Sequence, residues 1–79
     1  MKRIINRVVY STDKAVLIAT LEGCRGEALY RGKCGRWFAV DSLADAIFPL
    51  SRDGAYQMLE SAGRYDAIEA HLADMLTEA

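Results

Sequence analysis

The chain has 79 residues, 52% of them hydrophobic and 27% charged, and its ten Lys and Arg against eleven Asp and Glu leave a net charge of −1. A chain this short buries only about 60% of the surface it exposes when unfolded, which excludes two folding units, and its apolar share excludes a disordered tail. The balanced charge excludes a polyanion binder that is basic all over, and no apolar run approaches the ~20 residues of a membrane span.

Residues 2–10 contain Ile4, Ile5, Val8, Val9 and Tyr10, all β-favouring types, and close on the turn cluster Ser11, Thr12 and Asp13, so they are read as a first strand. A second apolar run, residues 14–22, is stopped by Gly23, with the cluster before it as a hairpin connection. Residues 27–31 and 36–40 are predicted to form a hairpin around Gly32, Lys33, Cys34 and Gly35, whose two glycines suit positive φ. Alternation then places Leu29 and Phe38 on one core face, and Tyr30 and Trp37 on the other face or at the rim. Residues 41–46 read as a short acidic connection and 47–50 as an extended segment, because Pro49 biases Phe48 away from helix.

Near residue 51 the apolar period changes from two to helical spacing. Residues 1–50 are therefore the sheet half and residues 51–79 the helical half of one domain, residues 1–79. Ser51 is the expected N-cap of a helix that presents Ala55, Met58, Leu59 and Ala62 and stops at Gly63. Asp66 and Glu69 outline a capping box for a second helix to about Leu76, with Ile68, Leu72, Met75 and Leu76 along one face. The predicted fold class is α+β: a small antiparallel sheet of about four strands with one or two C-terminal helices packed on one face. Its expected core is Ile5, Val8, Leu17, Leu29, Phe38, Leu59 and Leu72.

The chemistry-bearing residues are few. Cys24 and Cys34 match neither a redox pair nor a zinc spacing. An intervening strand would hold them about 15 Å apart, beyond the ~7 Å reach of a disulfide. Two free thiols are expected, an intermolecular bridge staying open if Cys34 sits at an exposed turn. His71, the single histidine, lies at a boundary position of the last helix without a visible nucleophile or ligand set. Neither an enzyme nor a cofactor is expected, and no signal-peptide layout opens the chain, so the expected location is the cytoplasm.

Charge is unevenly placed. Residues 1–40 carry eight Lys and Arg against three Asp and Glu, a net +5, and residues 41–79 carry two against eight, a net −6. Arg7, Arg25, Arg31, Lys33 and Arg36, with Tyr30 and Trp37 as anchoring aromatics, are the candidate partner-binding residues. The same set is compatible with a solvated outer sheet face whose aromatics are buried. An acidic protein or nucleoprotein surface is the partner such a patch suits; direct nucleic-acid binding is disfavoured by the net charge. Asp66, Glu69, Asp74 and Glu78 either keep the last helix wet or imitate phosphates. Both a monomer and a homodimer, the latter marked by Tyr65 and Met75, stay open.

The segments YSTDKAVLI (10–18), EALYRGKCGRWF (27–38) and IFPLSRDGA (47–55) resemble a group of small proteins carried by phages and other bacterial mobile elements. The chain departs from that group in its short 41–46 connection, where a longer glycine-rich stretch is common, and in Gly54, where an acidic residue is usual. The resemblance implies a small antiparallel sheet followed by helix, and a size and polarity similar to anti-CRISPR proteins. On that footing the expected function is a non-enzymatic inhibitor that binds a subunit of a host CRISPR effector (Cascade) and blocks target DNA by occlusion. The alternative is a small nucleic-acid-associated regulator using the same basic hairpin.

Overall fold

The computed structural model describes residues 1–21 and 27–77. In chain order the described elements are β1 (Lys2–Ile5), β2 (Val8–Ser11), β3 (Val16–Leu21), β4 (Glu27–Arg31), β5 (Trp37–Asp41), β6 (Ala46–Leu50), α1 (Arg52–Ser61) and α2 (Tyr65–His71), followed by a 3-10 turn at Ala73–Met75. Strands β3 to β6 form an antiparallel four-stranded meander, and β1 with β2 forms a separate antiparallel pair. The α+β class, with the helices on one face of a four-stranded sheet, is as the sequence predicts.

The pattern predicts one strand over residues 2–10, and the structure corrects this to a hairpin. The chain reverses at Asn6 and Arg7, both at positive φ (50° and 67°), the geometry of a two-residue hairpin turn matched to strand twist. Ile5 consequently pairs with Val8 and Ile4 with Val9. The resulting β2 ends at Ser11 and pairs with β1, not with β3, so the cluster 11–13 links two sheets rather than two arms of a hairpin. The second strand begins at Val16, later than the predicted residue 14. Glu22 and Gly23, at its predicted end, lie outside the described residues.

A one-residue difference at the β4–β5 turn reassigns the core. A turn of residues 32–35 would set Leu29 opposite Phe38. Instead Arg36 joins the turn: the Gly32 N–H donates to the Arg36 carbonyl at 2.7 Å, and Gly35 alone of the two glycines takes positive φ, 84°. Arg31 then pairs with Trp37, Tyr30 with Phe38 and Leu29 with Ala39. Because strand side chains alternate, one residue of register exchanges the faces. Leu29 and Trp37 share the helix side, while Tyr30 and Phe38 share the opposite side.

Two apolar layers result. On the helix side Ala19, Leu21, Leu29 and Trp37 of the sheet pack against Ala55, Leu59, Ala67, Ile68 and Leu72. On the other side Phe38, Val40 and Ile47 pack against Tyr10, with Met1, Ile5, Val8, Ala15 and Tyr30 at the margin. The β1–β2 hairpin therefore closes the face that the helices leave open. Phe38 is held between Tyr30, stacked at 5.5 Å, and Tyr10, edge-on at 5.4 Å, offset and edge-to-face contacts that aromatic rings favour. Leu29, Phe38, Leu59 and Leu72 are fully buried as expected. Ile5 and Val8 are only partly covered, and Leu17 is 50% exposed. Leu17 escapes the core because the β3–β4 register shifts between Leu17 and Ala19, a bulge that sends Ile18 to the helix-side core instead.

Ser51 caps α1 as predicted, its Oγ accepting the Gly54 N–H at 3.0 Å, and Gly63 takes φ 70° beyond the helix end. The predicted capping box of α2 does not form. The helix starts at Tyr65 behind Arg64, which places Asp66 inside its first turn, 3.5 Å from Arg64 Nε. It ends at His71 rather than continuing to Leu76, and Leu76 is exposed.

Candidate functional site: a cationic groove beside β2

The sequence-predicted binding residues do not form one patch. Arg7 is at the tip of the β1–β2 hairpin, in its turn. Arg31 extends over the helix-side face of the sheet, its guanidinium carbon 5.5 Å from the centre of the Trp37 ring. Trp37 is buried, 4% exposed, and Tyr30 is half-buried against Phe38. The two aromatic anchors are thus packing residues on opposite sides of the sheet. Arg25 lies outside the described residues, as do Cys24 and Glu78.

Lys33 and Arg36 do come together, and in company that the sequence reading missed. They line a groove of about 400 Å³ with Lys2 and Lys14, walled by Val8, Val9, Tyr10, Ser11, Ala15, Gly32, Cys34 and Phe38. The turn register that buries Trp37 also sets Arg36 at this groove, and the Asn6–Arg7 reversal brings β2 and the following Lys14 to it. Among the described residues four cationic side chains and no carboxylate line the groove, and none of the four makes an ion pair. Three basic residues outside the groove are paired: Arg3 with Asp45 at 2.9 Å, Arg52 with Asp74 and Arg64 with Asp66. Apolar walls beneath unpaired cations strengthen the field felt by an anion.

Cys34 is a free, exposed thiol at this groove. His71 lines a different depression of about 310 Å³, with Val16, Ile18, Arg31, Gly32, Lys33 and Gly35. Among the described residues no three His, Cys, Asp or Glu side chains gather as a metal site, and no helix is long and apolar enough to cross a membrane. Of the acidic residues on the last helix, Asp66 and Asp74 face arginines, while Glu69 is exposed. Met75 packs on the helix-side core rather than outward, and Tyr65 is exposed.

The signal for Lys2 and Lys14 was present but unread. Each flanks an apolar run, and only the two-residue reversal at Asn6 and Arg7 makes the two runs converge on the glycine-rich turn. No family model matches the chain, and neither a curated protein nor a solved structure is significantly similar to it.

Proposed function

We propose that this protein is a non-enzymatic binding protein that docks on an acidic surface of a larger protein or nucleoprotein through the groove formed by Lys2, Lys14, Lys33 and Arg36. The observation that carries the reading is the gathering of four cations, without a carboxylate among the described lining residues, in a chain whose overall charge is −1. A local cationic site on a slightly acidic molecule selects a particular anionic surface, because the rest of the molecule repels generic polyanions. The likeness of residues 10–18, 27–38 and 47–55 to small mobile-element proteins makes a host CRISPR effector subunit the first partner to try. Binding there would act by occlusion of target DNA. The role of a nucleic-acid-associated regulator is the competing reading of the same cations.

Phage plating on immunised cells tests the proposal. Expression of the protein is expected to restore plaques, and the double charge reversal K14E/K33E to abolish the effect while the protein still folds. Unchanged restriction, together with a tagged protein that recovers no defence component, would remove the inhibitor reading. Direct titration with DNA or RNA tests the nucleic-acid alternative, which requires binding to the nucleic acid itself that weakens steeply as salt rises.

A further inference from the structure

Among the described residues, β1, β2, β3 and β6 each have an edge without a neighbouring strand. Three of these edges carry a block. On β3 the bulge at Leu17 and Ala19 breaks the edge, and Arg64 Nη1 donates to the Thr20 carbonyl at 2.7 Å. On β6, Pro49 brings no N–H. On β1, Arg3 Nη1 donates to the Lys2 carbonyl at 2.8 Å. Bulges, proline and charged side chains are the means by which sheets avoid pairing with other chains.

The free edge of β2 has no such block over most of its length. A two-residue turn closes on a hydrogen-bonded pair, here Ile5 with Val8, and alternation makes Arg3 with Tyr10 the next. The bond from the Thr12 N–H to the Met1 carbonyl, 3.0 Å, continues the series. The N–H and C=O groups of Val9 and Ser11 therefore point away from β1. The Ser11 carbonyl accepts the Lys14 N–H at 3.3 Å, while Val9 N–H, Val9 C=O and Ser11 N–H have no backbone partner among the described residues. The groove follows this edge. Four consecutive residues, Val8 to Ser11, line it, although their side chains alternate between two faces.

We propose that β2 is a strand acceptor: the groove takes an extended acidic segment of a partner polypeptide, hydrogen-bonded to Val9 and Ser11, with carboxylates on Lys2, Lys14, Lys33 and Arg36. The proposal rests on the cationic-groove reading and specifies its occupant. A donor, an acceptor and a second donor in sequence match a peptide backbone, which carries both kinds of group; a phosphodiester chain offers acceptors and leaves the Val9 carbonyl unmet. The rings in the groove wall are also withdrawn from stacking on a nucleobase, Tyr10 and Phe38 being buried. At ~3.3 Å per residue, the four residues of β2 match about four residues of the incoming segment.

The test titrates the isotope-labelled protein with a blocked hexapeptide of alternating glutamate and threonine. It is repeated with two analogues, N-methylated on all glutamates or on all threonines, and with a hexameric single-stranded oligothymidylate. The unmodified peptide is expected to shift the Val9 and Ser11 amide resonances, and one of the two N-methylated analogues to bind at least tenfold more weakly. Val9→Pro removes the outward N–H without touching the β1 ladder and should cost a similar factor; if that variant does not fold, the analogues on the unchanged protein decide. Equal binding of all three peptides, or binding of the oligonucleotide alone, overturns strand addition and leaves the cationic groove in place. Failure of every anionic probe to bind removes both.

Discussion

Arg7 occupies a left-handed position, φ 67°, that costs a side-chain-bearing residue about 1–2 kcal/mol. Arg7→Gly is expected to raise stability by about 1 kcal/mol in a urea titration, glycine being favoured at the second position of such a turn. Because Arg7 is absent from the groove lining, the same variant should bind an acidic peptide with unchanged affinity, which separates it from Lys33 and Arg36. Gly35 offers the converse. A Cβ there would meet nothing closer than Arg31 Nη2 at 3.8 Å, so Gly35→Ala suffers from its φ of 84° alone, a loss of about 1–2 kcal/mol. In the interior, Leu59→Ala or Leu72→Ala should cost about 2–5 kcal/mol, a large part of what a domain of this size has. At this scale the sequence was informative where a large apolar residue lay in a regular element. Leu29, Leu59 and Leu72 could be chosen by period alone; Phe38 is buried on the face opposite to Leu29, in a strand covered on both sides, and Leu17 could not be placed because a bulge obeys no period.

Among the elements, α1 was the most legible, since its N-cap, apolar spacing and terminal glycine all lie within residues 51–63. Ser51→Ala removes the acceptor for the Gly54 N–H and should lower stability by about 1 kcal/mol, measured as a fall in Tm. α2 was less legible because Asp66 and Glu69 imitate a capping box that the Arg64–Tyr65 start displaces. Near the end of the chain Arg52 reaches from the start of α1 to Asp74 in the 3-10 turn, and its hydrogen bond holds the Asp74 carboxyl below the ordinary carboxylate value. A lowered folded value means that the contact stabilises the fold above the unfolded titration, near pH 3.9, and is lost as pH falls through the folded value. Asp74→Asn should therefore lower Tm at neutral pH and leave it unchanged in strong acid, a thermal scan across pH being the check. The β1–β2 hairpin was hidden for a related reason. Asn6 and Arg7 lack the glycine that usually advertises a two-residue turn, and the residues around them read as one unbroken strand.

For the molecule as a whole, the sequence showed that cations gather in the first half but not which of them meet. Register decides that: a five-residue rather than four-residue turn sends Arg31 to the helix side with Trp37 and leaves Arg36 beside the groove. The sequence reading placed Arg7, Arg25, Arg31, Lys33 and Arg36 in one patch; Lys2 and Lys14 each flank an apolar run, but only the reversal at Asn6 and Arg7 brings them to the groove. Since the groove attracts by charge at short range, K14E/K33E is expected to weaken binding of an acidic peptide at least tenfold at low salt, and the difference to narrow as salt rises, read by the same titration at two ionic strengths.

The partition of the aromatic residues between two layers also has an optical consequence. The single tryptophan is sealed on the helical side beneath Arg31, whereas Tyr10 and Phe38 belong to the wall of the groove. Tryptophan emission should thus follow unfolding of the helical layer and stay silent when a ligand enters the groove, while ultraviolet absorbance from Tyr10 should respond to occupancy. One molecule carries two independent reporters, and a wavelength chosen for convenience would miss the binding event altogether.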